Sequence, residues 1–99
     1  NEEEVAAGLS RSGVSREDCF IISKLAPSEQ GYERALVALS ESLRRLGTSY
    51  LDLYLIHWPG TSKMPLASEE HALNRLESWR ALEDALGAGL IRAVGVSNF

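Results

Sequence analysis

Three short apolar runs, each ending in polar residues and each separated from the next by a helical stripe, constrain this chain more than any other feature. The runs begin at Cys19, Leu51 and Leu90. Cys19-Phe-Ile-Ile-Ser23 is rich in β-formers and is closed by Lys24 and Pro27, which marks a buried strand. Leu51 to Ile56 is apolar except at Asp52, the pattern of a parallel strand covered on both faces, and it runs into His57-Trp58-Pro59-Gly60. Leu90 to Val96 reads as a third strand that ends at Ser97-Asn98-Phe99.

Between the strands the period changes from two to about 3.6. Tyr32, Leu36, Leu39, Leu43 and Leu46 recur at helical spacing, and Gly47 follows the basic pair Arg44-Arg45 as a helix terminator. Leu73, Leu76, Trp79, Leu82 and Leu86 give a second stripe, with Ser68 as a candidate cap and Gly87 and Gly89 closing it. Upstream, Val5 and Leu9 lie one turn apart before Gly13, the end of a helix. Ser15 with Asp18 then forms a capping signal.

Helix, strand, helix, strand, helix, strand is the cadence of right-handed βαβ crossovers. Doubly wound sheets and eight-stranded barrels share that cadence. Two observations favour the barrel: polar residues stand at three successive strand ends (Lys24, His57 and Ser97/Asn98), and no GxGxxG turn follows any strand. The expected fold is α/β, a partial (β/α)8 TIM barrel of three parallel strands alternating with helices.

Composition narrows the function. The 99 residues are 44% hydrophobic and 24% charged, the balance of a packed globular domain. Fourteen acids and ten bases are interspersed to a net charge of −4, without a basic run to follow a phosphate backbone, so a nucleic-acid partner is not expected. A membrane partner is not expected either, since no apolar run approaches the ~20 residues of a span. One cysteine, Cys19, reads as core filler; it has no Cys/His set at metal spacing, so no metal is expected, and it suits a reducing compartment, with the cytoplasm as the default.

Strand alternation places His57 on one face with Leu55 and Leu53, and Asp52 and Tyr54 on the other, against the helices. Lys24 likewise shares a face with Ile22 and Phe20. An amine and an imidazole would then converge on one mouth, where a lysine short of hydration can lower the pKa of a neighbouring phenol. Taken singly, a strand-end lysine is more often an exposed charge, and a histidine before Trp-Pro more often a hydrogen-bonded packing residue. Trp58 alone reads equally as a packing indole, and Ser97 and Asn98 as turn formers.

Together the blocks Asn1-Glu2-Glu3, Phe20 to Leu25, Leu51 to Pro59 and Gly89 to Phe99 closely resemble the aldo-keto reductases. Relative to a complete barrel of about 250 residues the coverage is well under half. The resemblance implies that NADPH passes hydride to a small aldehyde or ketone while a tyrosine, helped by lysine, aspartate and histidine, supplies the proton. Lys24 matches the family's lysine and His57 its histidine, both catalytic. Trp58 matches an aromatic of the substrate pocket, and Ser97 with Asn98 matches the pair that hydrogen-bonds the nicotinamide carboxamide. The family's tyrosine and aspartate match no residue here, the tyrosine falling two positions before Asn1. Residues 1–99 are therefore expected to be an incomplete segment of such a barrel, inactive alone. The alternatives are a noncatalytic, nucleotide-binding regulatory subunit or a truncated inactive product.

Overall fold

A computed structural model describes residues 1–58 and 69–97. In order they form α1 (Glu2–Ser12), a 3-10 turn (Arg16–Asp18), β1 (Ile22–Leu25), a second 3-10 turn (Pro27–Glu29), α2 (Tyr32–Leu46), β2 (Leu53–Ile56), α3 (Glu70–Gly87) and β3 (Val94–Val96). The strands form one parallel sheet in the order β1-β2-β3, so neighbours in sequence are neighbours in space. Lys24 pairs with Leu55, and Leu55 with Gly95. The strands are shorter than the apolar runs: Leu51 contributes only an isolated bridge to Ile91, and residues 19–21 precede β1.

One face of the sheet carries the core. Leu25, Leu51, Tyr54, Ile56 and Ile91 are sealed against Ala35 and Leu39 of α2 and Ala81, Leu82 and Ala85 of α3. Complete burial of a leucine or isoleucine side chain contributes roughly 1.5–3 kcal/mol, so this layer supplies most of the driving force. Among the described residues no helix covers the opposite face. Phe20 is 69% and Ile22 51% exposed, and Leu53 and Leu55 are only half-buried. The described helices all cover one side, so among the described residues the second face of the sheet is open, as it is in a partial barrel.

The spacing also misplaces the buried side of α3. Leu82 is sealed, but Leu73, Leu76 and Leu86 point outward, while His71, Ser78, Ala81 and Ala85 are buried. Small residues on that side let α3 lie close to its neighbours, which a count of large apolar residues misses. The α2 stripe is better placed: Leu39 and Leu46 are buried, and Tyr32, Leu36 and Leu43 pack against the core. Ser68, the expected cap of α3, lies outside the described residues.

A polar clamp ties the N-terminal ends of β1 and β2 together. Arg16 donates from Nε to Thr48 Oγ1 (2.8 Å), from Nη1 to the Cys19 carbonyl (2.9 Å) and from Nη2 to the Tyr50 carbonyl (2.8 Å), and it pairs with Asp52 at 2.9 Å. Asp52 in turn accepts from the Ile21 amide at 2.9 Å. The guanidiniums of Arg16 and Arg92 both stack on the Tyr50 ring, 3.9 and 4.1 Å from its centre. The single polar interruption of the second apolar run thus anchors the strand that follows it.

Candidate active site at the strand ends

Parallel pairing fixes which side chains share the open face. Lys24, Leu55 and Gly95 form one row across the three strands. The His57 amide donates to the Leu25 carbonyl (3.0 Å) and the Ser97 amide to the Ile56 carbonyl (2.9 Å), so both residues continue the ladder one row higher. Side chains alternate along a strand, and therefore Lys24, His57 and Ser97 all project from the face opposite Tyr54. With strands spaced about 4.8 Å apart, the three backbone positions span roughly 10 Å across and about 7 Å along the sheet.

Beneath them lies an apolar floor. A Cβ at Gly95 would stand 2.8 Å from Leu55 Cδ2, so the missing side chain leaves room for Leu55 to lean over β3. Above it, the rings of His57 and Trp58 stack with centres 5.7 Å apart and planes inclined by 29°. Trp58 is 47% exposed and Lys24 is exposed, which leaves both available to a bound molecule.

Lys24 and His57 also line one open concavity of about 550 Å³, together with Asn1, Glu2, Ser23 and Arg45. Trp58 and Ser97 are not part of its wall, and Asn98 lies outside the described residues. Within the concavity, Glu2 accepts from Ser23 Oγ (2.7 Å), Ser42 Oγ (3.2 Å) and Arg45 Nε (2.9 Å). Partial burial would raise its carboxyl, but these donors outweigh that effect and hold it below the usual carboxylate range. Glu2 is thus kept as an anion that joins α1 to β1 and α2 beside the lysine.

None of the three tyrosines reaches the mouth. Burial pushes the Tyr54 phenol up, and its ring faces the helices. The Tyr32 hydroxyl donates to Asp84 at 2.5 Å, which also raises it, and Tyr50 is engaged in the clamp at the other end of the strands. Any phenolic proton donor at this face comes from outside the described residues. The groups present at these strand ends, the Ser97 hydroxyl, the exposed Trp58 indole and an apolar row at Leu53 and Leu55, are of the kinds that suit a flat heteroaromatic amide such as nicotinamide. Among the described residues no three His, Cys, Asp or Glu gather as a metal site, and no helix is long and apolar enough to cross a membrane.

Sequence reasoning missed Glu2, Arg16 and Gln30. Gln30 is fully buried, and its Nε2 donates to the Trp58 carbonyl at 2.7 Å. Its partner lies 28 residues away in the chain. No local pattern carries that signal; for Arg16 the available one is Asp52, since a lone carboxylate in an apolar run calls for a partner.

The model of the Aldo/keto reductase family matches residues 1–99. The chain is 50% identical over its full length to the glyoxal reductase of Bacillus subtilis (strain 168), covering 32% of that protein. Among solved structures it superposes on an aldo/keto reductase from Brucella melitensis with a TM-score of 0.86 and 45% identity, over all of this chain and 35% of that one. It also superposes on a Bombyx mori aldo-keto reductase in complex with NADP, with a TM-score of 0.85 and 38% identity, over 99% of this chain and 33% of that one. The chain thus spans about a third of the relatives it matches, and its three strands correspond to part of their (β/α)8 barrel.

Proposed function

The chain belongs to the aldo/keto reductase family, and from that premise we propose that its strand ends form part of the rim of a reductase that converts small aldehydes or ketones to alcohols with NADPH. The observation that carries this reading is the register, which directs Lys24, His57 and Ser97 from one sheet face at the C-terminal ends of three consecutive strands. Barrel enzymes keep their chemistry on that rim.

When bound, the nicotinamide supplies the hydride that reduces the carbonyl carbon. Ser97, with Asn98, would hold the carboxamide by hydrogen bonds and so fix which ring face meets the substrate. A phenol of ordinary pKa near ~10 gives up its proton reluctantly at neutral pH, and the Lys24 ammonium would stabilise the phenolate left behind. His57 would hydrogen-bond the substrate oxygen and orient the carbonyl. Trp58, stacked on His57, would form an apolar wall for the substrate and exclude water. Residues 1–99 hold part of this machinery and are inactive alone. The cytoplasm is the proposed compartment, in keeping with the unpaired thiol of Cys19.

The test is aldehyde-dependent NADPH oxidation by the intact protein and its Lys24→Met variant, which keeps length and removes charge. Turnover should fall by at least ~100-fold while NADPH affinity stays within about 3-fold. Equal turnover in the two proteins contradicts the role of Lys24. Tight NADPH binding with no turnover on any aldehyde or ketone would favour the noncatalytic, nucleotide-binding subunit instead.

A further inference from the structure

We propose that Gln30 is a positioning residue of this mouth: its buried amide grips the Trp58 carbonyl and thereby sets the placement of the Trp58 ring that walls the substrate, while the sheet itself holds His57. The inference rests on the reading of Trp58 and His57 given above, and it adds a residue in neither the sheet nor the rim.

The sheet's control of the β2 strand end is strong up to His57, whose amide donates to the Leu25 carbonyl at 3.0 Å. At the next residue the bond to the carbonyl comes from the Gln30 side chain, at 2.7 Å. Among the described residues, Gln30 thus supplies the bond just beyond the last ladder contact between β1 and β2. A fully buried amide is an expensive way to fill space, because its donors and acceptors must be satisfied; an apolar side chain of the same volume would pack there without that demand. What the amide adds is direction, since a hydrogen bond fixes the Trp58 peptide in a way that packing does not.

The arm that carries Gln30 is itself held rigid. The Glu29 amide donates to the Ala26 carbonyl (2.9 Å) while the Ala26 amide donates to Glu29 Oε1 (3.0 Å), closing the turn after β1 on itself. Gly31 follows with φ 117 and ψ 156, a conformation open essentially to glycine alone. Its amide donates to Ser78 Oγ at 2.8 Å, and that hydroxyl donates to the Asn74 carbonyl at 2.6 Å, with Ser78 fully buried. A continuous polar strut thus runs from α3 through Ser78, Gly31 and Gln30 to Trp58. It couples the strand end bearing Lys24 to the strand end bearing His57.

The test uses the intact protein with Gln30→Met, which keeps length and removes the donor. Hydrogen exchange of the amides in residues 53–58 should accelerate by about 10-fold or more. The kcat/KM for the bulky probe 4-nitrobenzaldehyde should fall by at least ~10-fold while that for propanal changes by less than about 3-fold, with NADPH affinity unchanged. In Gln30→Glu, the preference should return toward the parent's as pH falls, because the protonated acid again donates to the Trp58 carbonyl. That rescue is read in the ratio of the two aldehydes, and it keeps the proposal falsifiable if Gln30→Met does not fold. Unchanged exchange over 53–58 in folded Gln30→Met, or an equal loss with both aldehydes, overturns the proposal. If the parent reduces neither aldehyde, the functional reading falls, and exchange over 53–58 still decides whether Gln30 positions Trp58.

Discussion

Asp52 sits at a charged junction whose strength depends on pH. The Ile21 amide and then the Arg16 guanidinium hold its carboxyl below the ordinary 3.8, against the opposing effect of burial, and Glu2 is likewise held below 4.5. A carboxyl depressed in the folded state stabilises fully above its unfolded pKa, and that contribution disappears as pH falls through the folded value. The intact protein should therefore show a steady urea midpoint above about pH 5 and a decline below roughly pH 4.5, with Asp52→Asn less stable at neutral pH and flatter on the acid limb. An acid limb of the same slope in parent and variant would show that Asp52 is not a depressed carboxyl. At this scale the sequence was informative wherever alternation alone set the outcome. The parity of Ile22 and Lys24, and of Leu53, Leu55 and His57, holds in the sheet because each pair of neighbours two apart must share a face. Gln30 and Glu2 were illegible because their partners, Trp58 and the trio Ser23, Ser42 and Arg45, come from distant segments that only the fold brings near.

At the scale of the elements, small residues set the contact of the helices with their surroundings. Ala35 and Ala38 on α2, and Ala81 and Ala85 on α3, are all buried. Ala81→Leu forces extra methylenes into a sealed position and should cost about 1–3 kcal/mol in chemical denaturation. No loss of stability would show that the α3 face lies elsewhere. The α2 stripe was readable because its large apolar residues and its buried face nearly coincide. The α3 stripe was misleading because Leu73, Leu76 and Leu86 lie beside the buried face, and His71, Ser78, Ala81 and Ala85 occupy it. Binary patterning weighs a leucine above an alanine, whereas close packing next to a neighbouring element favours the smaller side chain.

For the whole molecule, the three-stranded sheet has a covered face and an open one, with β1 and β3 each presenting a strand edge. Phe20, Ile22, Leu53 and Leu55 on the open face, together with those edges, make the 99-residue chain prone to associate on its own. Sedimentation and thermal unfolding of the isolated chain should show self-association and no cooperative transition; a monomer with one sharp transition would contradict this. The same exposure fits a segment of a barrel, in which the open face becomes the interior and the strand ends the rim.

In the proposed function those strand ends surround one nicotinamide site. A crystal structure of the intact protein with NADP+ measures it directly. The carboxamide should lie within hydrogen-bond distance of the Ser97 hydroxyl, with Lys24 Nζ and the His57 ring directed toward the same side of the pyridine ring. A pyridine ring seated away from Ser97, or Lys24 and His57 directed away from it, would contradict the account.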